Sequence, residues 1–300
     1  MTKPHGIYPM QYAFFDEAGR LDRDAFKMQI ETCLDAGAHG IALLGLITEV
    51  KTLTPLERET LVGWAVDDIA GRVPLMATIA GANLEEVAAL AAAAESAGAD
   101  YLILQPPLGQ RPASGELLEY YSSAMKGIRA EVGIQNAPEY LGVGLSPDEV
   151  MALRQRHANF TLMKGEGPVV QVKPFIDALG AEFVIFNGRG GLELPDNLLA
   201  GCAGMIPAPD CADIQVQIYE AVAMGDIARA NTLYAVALPY IVFAMQSLDV
   251  AILYGKRMFI ERVGIDNAGA CRAPTIAPSP FFDAALARWT AGFGPYGTAL

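Results

Sequence analysis

A recurring passage from helix to strand constrains the fold of this chain more than any other feature. A helical pattern ends at Gly37, Gly98 and Gly180, and each time a short apolar run follows, at 40–44, 101–105 and 183–186. Glycine accepts the left-handed backbone that ends many helices, and a continuous apolar run suits a parallel strand covered on both faces. The pattern therefore predicts alternating helices and parallel strands.

Eight such strands can be placed along the chain, with helical windows between most of them. Two windows open with a hydroxyl residue, a proline and an acid, at 54–57 and 146–149, as capped helices do. Eight strands over roughly 225 residues predict an α/β fold, the (β/α)8 TIM barrel, with an open doubly wound sheet as the alternative. The predicted strands are 7–10, 40–44, 73–79, 101–105, 132–135, 160–164, 183–186 and 203–206, and the predicted helices are 22–36, 55–70, 83–97, 115–130, 146–157 and 168–179.

Residues beyond the eighth strand form a second region. We expect residues 1–225 to build the barrel and residues 226–300 to form a C-terminal helical extension packed on it. The segment 230–248 is uncharged but is interrupted by polar residues and Pro239. It is therefore interpreted as a helix buried in the fold or in a subunit interface, not as a membrane span.

The composition argues against several classes of function. A net charge of −13 opposes binding to nucleic acid or an anionic membrane, because both need basic surface. The four cysteines lack metal-ligand spacing and the three histidines are far apart, so we expect no metal or other cofactor. No glycine-rich phosphate motif and no signal-peptide core are present, which favours a cytoplasmic protein that does not bind nucleotides.

Lys164 is the residue most suggestive of chemistry. It is one of seven lysines and closes the apolar run 160–163, at the C-terminal end of the sixth predicted strand. Active sites of parallel barrels lie at that end of the strands. An ammonium there either reaches solvent or is present for its amine, which could attack a carbonyl and form a Schiff base. From this residue alone, a solvated lysine is the alternative.

Four motifs at the strand ends resemble those of the dihydrodipicolinate synthase and N-acetylneuraminate lyase family, which are class I, Schiff-base lyases on an eight-stranded barrel with a C-terminal helical extension. The resemblance implies that Lys164 forms the imine, that no metal or cofactor is needed, and that the chain assembles as a homotetramer or homodimer. The motifs are Gly45-x-x-x-Glu49, Asn136-x-Pro138, Lys164-Gly165-Glu166 and Gly201-x-x-Gly204-x-Ile206.

The chain departs from the synthases of this family at the proton relay and at the carboxylate-binding arginine. Leu46 and Ile47 replace the two threonines of the relay loop, and Gln135 and Leu108 stand where tyrosines are expected. Tyr140 stands where the synthases have an arginine for the substrate carboxylate. An unpaired carboxylate binds poorly, since charge-assisted contacts are the strong ones, so lysine biosynthesis is not expected.

The segment Gln135-Asn136-Ala137-Pro138 instead resembles the Gln-Asp-Ala-Pro motif of 2-keto-3-deoxy sugar acid dehydratases. This resemblance implies a Schiff-base-forming lyase, a dehydratase or an aldolase, acting on a 2-oxo acid such as a 2-keto-3-deoxy sugar acid. Two alternatives stay open. One is a condensation of pyruvate with an aldehyde, as in dihydrodipicolinate synthase, and the other is a non-catalytic ligand-binding barrel.

Lys164, Gln135 and Thr48 are the predicted catalytic residues. Gln135 cannot exchange protons at useful pH but can orient a hydroxyl or water by hydrogen bonds. Thr48 is the one hydroxyl left in the relay loop and is a candidate for one of the missing threonines. The residue that transfers protons stays open among Thr48, Tyr140, Glu166 and the substrate carboxylate.

The predicted substrate-binding residues are Ile47, Gly188, Arg189 and Ile206, all near strand ends. The backbone amides around Ile47 are expected to hold the substrate carboxylate, and Arg189 to meet a distal hydroxyl or carboxylate. Asp210 follows the eighth strand and is equally compatible with capping the next helix.

Overall fold

Eight parallel strands form the centre of the molecule, in a computed structural model that describes residues 3–300. Their order is β1-β8-β7-β6-β5-β4-β3-β2, and a bridge between Met10 and Ala42 joins the first strand's extension to the second strand. The predicted TIM barrel is confirmed. The strands are β1 Gly6–Ile7, β2 Ile41–Leu43, β3 Leu75–Ile79, β4 Tyr101–Leu104, β5 Glu131–Asn136, β6 Phe160–Gly165, β7 Val184–Asn187 and β8 Gly204–Met205.

Helices cover the outside of the barrel and build the C-terminal extension. Several begin with side-chain caps, as at Thr54 and Ser146, which accept the amide hydrogens of Glu57 and Glu149. In residues 3–300 the α-helices are α1 Arg23–Asp35, α2 Pro55–Ile69, α3 Leu84–Ala97, α4 Ser114–Ala124, α5 Pro138–Leu141, α6 Pro147–Arg156, α7 Val169–Leu179, α8 Leu194–Ala200, α9 Ala212–Ala223, α10 Ile227–Ala244, α11 Leu248–Val263 and α12 Pro280–Thr290.

The differences from the predicted elements are local. Helix α4 ends at Ala124 and not near residue 130, because Gly127 adopts a left-handed backbone with φ of 89° that cannot continue a helix. Helices α8 and α9 lie in stretches where the sequence pattern had not indicated a helix. Gly204 in β8 is required by a close approach, since a Cβ there would lie 1.8 Å from the carbonyl oxygen of Gly6.

Two layers of apolar side chains position the active end of the barrel. The barrel interior is filled by residues such as Tyr8, Met76 and Phe186, and a larger layer lies between the strands and helices α1 to α4, α6 and α7. Within the sheet, Lys164 of β6 is in register with Gln135 of β5 and Phe186 of β7. The two predicted catalytic residues therefore occupy neighbouring strand ends.

The C-terminal extension packs on the barrel. Helix α10 contacts α8, α9 and α12, and it shares an apolar cluster with Ile7 of β1 and Met205 of β8. Within residues 3–300, α10 is the one helix long and apolar enough to cross a membrane, a test that core helices of soluble proteins also pass. The boundary near residue 225 stays a prediction.

Candidate active site

A cavity of about 210 Å³ opens at the C-terminal ends of the strands. Lys164 and Glu166 lie on the strand side of the cavity, together with Arg189 and Tyr140. Helices α10 and α11 close the opposite side. That side is largely apolar, with Ile241, Ala244, Met245, Leu248 and Ala251 among its residues, while Leu46, Ile47 and Ile206 add apolar surface from the strand ends.

Lys164 is buried and paired with Glu166. Its side chain is 5% exposed, and its Nζ lies 2.9 Å from Oε1 of Glu166, which is 9% exposed. The alternative of a solvated surface lysine is thereby excluded. A carboxylate in direct contact with the amine is the group best placed to remove its proton, because proton transfer requires hydrogen-bond distance.

Gln135 does not line the cavity but contacts the carboxylate of Glu166. Its Nε2 donates to Oε2 of Glu166, and its Oε1 accepts a hydrogen bond of 2.6 Å from Nε2 of Gln105. Both glutamines are buried. Lys164 and Gln135 thus both contact the carboxylate of Glu166. Gln105 belongs to the same group, although the sequence indicated it only as the last residue of a predicted strand.

Gly188 makes room for the same carboxylate. A Cβ at this position would lie 2.3 Å from Oε1 of Glu166 and 2.6 Å from its Cγ. Gly188 was predicted to bind substrate. In the structure it lies beside Glu166 and does not line the cavity. Its observable contribution is the space that lets Glu166 reach Lys164.

Arg189 reaches the cavity from the loop after β7. Its Nε and Nη1 are buried and have no hydrogen-bond partner among residues 3–300, although Glu139 and Glu193 lie 3.8 and 3.5 Å away. Arg189 has a left-handed backbone with φ of 54°, which is strained for a non-glycine residue. A guanidinium at a cavity, with two donor nitrogens that lack a hydrogen-bond partner, is suited to an oxygen-rich ligand.

Tyr140 lies next to Arg189 at the rim and is 41% exposed. Burial raises the pKa of its hydroxyl, while the hydrogen bond with Arg189 acts in the opposite direction. Tyr140 occupies the position where the synthases are expected to carry an arginine. In the structure, the guanidinium in this region belongs to Arg189, which lies on a different loop from Tyr140.

Thr48 is directed away from the cavity. The residue is fully buried, its Oγ1 donates a 2.7 Å hydrogen bond to the carbonyl of Gln11, and its backbone amide donates to the carbonyl of Gly45. This geometry does not support the predicted catalytic role of Thr48, because its hydroxyl is already bonded to Gln11 and the residue does not line the cavity. Ile47 and Ile206, which were predicted to bind substrate, line the cavity.

Glu49, the last residue of the loop motif, connects the barrel to the extension. Its buried carboxylate accepts hydrogen bonds from Nζ of Lys256 in α11 and, at 2.9 Å, from the backbone amide of Arg272. It does not line the cavity. Glu49 is therefore a structural acid.

Asp210 forms a buried cluster on the cavity wall that the sequence did not reveal. It accepts hydrogen bonds from Tyr240 at 2.6 Å, Tyr12 at 3.1 Å and the amide of Cys211 at 2.8 Å. Burial raises the pKa of its carboxyl group, opposed by these hydrogen bonds. Helix α9 begins only at Ala212, so Asp210 joins the barrel to α10 instead of capping the next helix.

Residues 3–300 contain no group of three or more histidine, cysteine, aspartate or glutamate side chains that could hold a metal ion. The acidic side chains of the site are instead bonded to lysine, glutamine and tyrosine partners. The chemistry that these residues can perform by themselves is addition of an amine to a carbonyl, with Glu166 as proton acceptor.

Comparison with known proteins agrees with this geometry. Residues 3–280 match the dihydrodipicolinate synthetase family. The chain belongs to this family. It is 33% identical to a 4-hydroxy-tetrahydrodipicolinate synthase of Methanoculleus marisnigri over 235 residues, 76% of this chain and 80% of that protein. It is 26% identical to the probable 2-dehydro-3-deoxy-D-pentonate aldolase YjhH of Escherichia coli over 295 residues, 93% of this chain and 94% of that protein.

Solved structures of the dihydrodipicolinate synthetase family share the fold. Dihydrodipicolinate synthase from Aquifex aeolicus superposes with a TM-score of 0.89 at 23% identity, covering 98% of this chain and 99% of that one. YagE of Escherichia coli, crystallised with pyruvate, gives 0.88 at 23% identity, covering 96% and 97%. Family members are class I lyases that form a lysine Schiff base, and this chain is an enzyme of that class.

Proposed function

We propose that this enzyme forms an imine between Lys164 and a 2-oxo acid, and that Glu166 is its general acid and base. The observation that carries this proposal is the contact of 2.9 Å between Nζ of Lys164 and Oε1 of Glu166, both buried beside the cavity. Only about one lysine in a thousand is neutral near pH 7 in water, so a nucleophilic lysine needs a neighbour that removes its proton.

The reaction begins with proton transfer from Lys164 to Glu166. The free amine attacks the C2 carbonyl of the 2-oxo acid, and loss of water, with the proton returned from Glu166, forms a cationic imine. Glu166 then removes a proton from C3, and the electron pair moves into the imine to give an enamine. The cationic imine is the electron sink that makes this step feasible.

Two outcomes follow from a 4-hydroxy-2-oxo acid. In dehydration, the enamine expels the C4 hydroxyl, which leaves as water after taking the proton held by Glu166. Aldol cleavage starts instead from the cationic imine, before C3 loses a proton. Glu166 removes the proton of the C4 hydroxyl, the C3–C4 bond breaks, an aldehyde leaves, and the bonding electrons pass into the imine to give an enamine. Glu166 then returns the proton to C3, which re-forms the cationic imine. Hydrolysis of the imine then releases the product and restores Lys164 in both cases.

A 2-keto-3-deoxy sugar acid is the substrate class we propose. The Gln135-Asn136-Ala137-Pro138 motif and the name of YjhH, a probable pentonate aldolase, support it. Arg189 offers free donors for a distal hydroxyl or carboxylate. The apolar surface of α10 and α11 favours a short chain with few hydroxyls, because each hydroxyl buried without a partner costs about 1–3 kcal/mol.

Borohydride trapping tests the imine. Incubation with pyruvate or a 2-keto-3-deoxy pentonate and borohydride is expected to add the reduced ligand to Lys164, as mapped by mass spectrometry. The variant Lys164→Met removes the adduct, whereas Lys173→Met, at a surface lysine paired with Asp177, retains it. Absence of an adduct on Lys164 with every 2-oxo acid contradicts the proposal.

A substrate panel tests the reaction. Sugar acids with two or three hydroxyls are compared with 4-hydroxy-2-oxo acids of equal length that carry an alkyl tail, and semialdehyde, pyruvate and aldehyde products are measured. Turnover of a sugar acid with a semialdehyde product assigns dehydration, and pyruvate release assigns aldol cleavage. Adduct formation without turnover of any panel member would identify a non-catalytic binding barrel and overturn the enzymatic proposal.

We further propose a cytoplasmic homotetramer or homodimer. Three of the four cysteines are buried thiols, and burial raises the pKa of Cys33 and of Cys202 to about 12, which keeps both unreactive in a reducing compartment. Light scattering at micromolar concentration tests assembly, and a monomer mass would reject it.

A further inference from the structure

Gln105 occupies the first position after β4, is 1% exposed, and does not line the cavity. Its Nε2 lies 2.6 Å from Oε1 of Gln135, whose own Nε2 donates to Oε2 of Glu166. Side chains from the ends of β4, β5 and β6 therefore form one line of hydrogen bonds. This line ends at the carboxylate that contacts Lys164.

The direction of this line matches an ionised Glu166. An ionised carboxylate only accepts hydrogen bonds, so Gln135 must turn its amide nitrogen towards Glu166 and its oxygen towards Gln105. Gln105 must then donate. Its own Oε1 is left buried with no hydrogen-bond partner among residues 3–300.

The reverse direction would be less stable. If Gln105 accepted from Gln135, Gln135 would present its oxygen to Glu166, which would then have to be protonated. The unpartnered group would become a buried N–H, and buried N–H groups without an acceptor are rarer in folded proteins than under-satisfied carbonyls. The observed order thus matches the ionised form of Glu166.

We infer that Gln105 is a positioning residue for the reaction, because it holds the amide of Gln135 with its N–H towards Glu166 and so favours the carboxylate that accepts protons. This inference rests on the proposed function, which gives Glu166 its task. Gln105 itself touches neither Lys164 nor the space that the substrate would occupy.

Other groups around Glu166 also interact with its carboxylate and contribute to the expected pH dependence of activity. Lys164 contacts its Oε1, and Tyr140 of α5 interacts with it electrostatically beside Arg189. The hydroxyl of Tyr121 in α4 donates a hydrogen bond of 3.2 Å to the backbone carbonyl of Gln135. This bond fixes the main chain and not the side-chain amide. Apart from Glu166 itself, Gln105 is the neighbour among these whose hydrogen bond reaches the side-chain amide of Gln135.

Two substitutions separate positioning from a structural role. Gln105→Met keeps the side-chain length but cannot donate, and Gln105→Glu donates only while its carboxyl is protonated. We expect Q105M to retain borohydride trapping on Lys164, to lose about tenfold in kcat, and to move the acid limb of its pH profile upwards by about one unit. We expect Q105E to lose activity at higher pH, as the new carboxyl ionises.

The matched comparison is Gln29→Met. Gln29 is also fully buried, and its amide bonds to the backbone of Tyr12 and not to Glu166, Gln135 or Gln105. Its loss is expected to lower the melting temperature without moving the pH profile. A Q105M profile with the wild-type acid limb, or a Q105E profile equal to wild type, overturns the inference.

A second measurement applies if the variants do not fold. In wild-type protein labelled with 15N-glutamine, the side-chain amide signals of Gln105 and Gln135 are expected to shift together with pH, at the midpoint of the acid limb. A Gln105 signal that does not change with pH overturns the inference. Failure of the proposed function has a different signature, namely no adduct on Lys164 in the wild-type protein.

Discussion

The α-carbon of Gly188 faces the carboxylate of Glu166 so closely that a Cβ there would lie 2.3 Å from Oε1. The same oxygen is 2.9 Å from Nζ of Lys164. A glycine in the loop after β7 therefore determines whether the acid that follows β6 can reach the amine. The close approach of Gly188 to Glu166 explains why a residue without a side chain matters to the chemistry of this site.

Gly188→Ala is expected to displace Glu166 from Lys164 and to lower kcat by about tenfold or more, because a displaced base loses hydrogen-bond reach to the proton it must accept. Steady-state kinetics and borohydride trapping measure the effect. Gly63→Ala is the control, since Gly63 lies in α2 with open space around its α-carbon and the change is expected to stabilise the helix by about 0.5–1 kcal/mol. Equal kcat values for G188A and wild type would contradict the steric role.

Glu166→Gln keeps the size of the side chain but cannot accept a proton. Turnover is expected to fall by about 10²–10⁴-fold, the range typical of a lost general base, while slow trapping of pyruvate on Lys164 persists. The surface variant Glu182→Gln, which affects an ion pair with Lys3, should behave as wild type. If E166Q kept wild-type turnover, another group would have to carry the proton.

Arg189→Met is expected to raise KM for an acid with a distal hydroxyl or carboxylate by about 10- to 100-fold, because one or two charged hydrogen bonds are lost. Trapping of pyruvate, which lacks a distal group, should not change. Arg189→Lys retains the charge but not the forked donors, so its KM for the longer acid is expected to lie between the values for wild type and Arg189→Met. A proportional loss for pyruvate and for the longer acid would show that Arg189 does not bind the distal end.

Lys256→Met should destabilise the fold by about 3–5 kcal/mol, because it leaves the carboxylate of Glu49 buried without its cation. The fully buried Lys256 bonds to Glu49 and to the carbonyl of Ala270 at 3.1 Å. Urea denaturation measures the loss, and the double variant E49Q/K256M is expected to recover part of it. Equal stability of K256M and the surface variant Lys173→Met would reject a stabilising ion pair.

The pair between Glu57 and Arg272 predicts an acid-sensitive contribution to stability. Hydrogen bonds from Arg272 are the main cause that lowers the pKa of Glu57 to about 2, against about 4.3 in an unfolded chain. A lowered folded-state pKa stabilises the fold above the unfolded value, and this contribution is lost as the pH falls from about 4.3 towards 2.

The measurement for this pair is thermal unfolding of wild type and Glu57→Gln between pH 7 and pH 2.5. The wild type is expected to be more stable by about 1 kcal/mol at pH 7, less than the full pKa difference would imply, because solvent screens a partly exposed pair. The gap should close as the pH approaches 2. A gap that is constant with pH would exclude ionisation of Glu57 as its cause.

The barrel could be predicted because its signals are local and repeated. Glycine after a helix, a continuous apolar run, and a capped helix start each arise from a few adjacent residues, as at Gly98 and Thr54. Helix α4 ended early because one glycine at 127 outweighed the helical pattern before it. Residues at strand ends could be named for the same reason, since the register of a barrel brings them together.

The directions of side chains beyond the strand ends could not be predicted in this way. Thr48 and Glu49 lie in a loop that turns through left-handed backbone at Leu44 and Glu49, which points the threonine hydroxyl at Gln11 and the acid at Lys256. No periodicity encodes such a turn. The sequence could therefore suggest that Thr48 replaces a missing catalytic hydroxyl, but the geometry does not support this prediction.

The barrel, the helical extension and the place of Lys164 at the end of the sixth strand could be predicted from the sequence, because they depend on patterns of adjacent residues. The partners of this lysine became visible only in the folded chain. Glu166, Gln135 and Gln105 come from three strand ends, and Asp210 with its tyrosines joins segments nearly two hundred residues apart. Protonation and hydrogen-bond direction depend on such contacts in space, and a linear sequence does not state them.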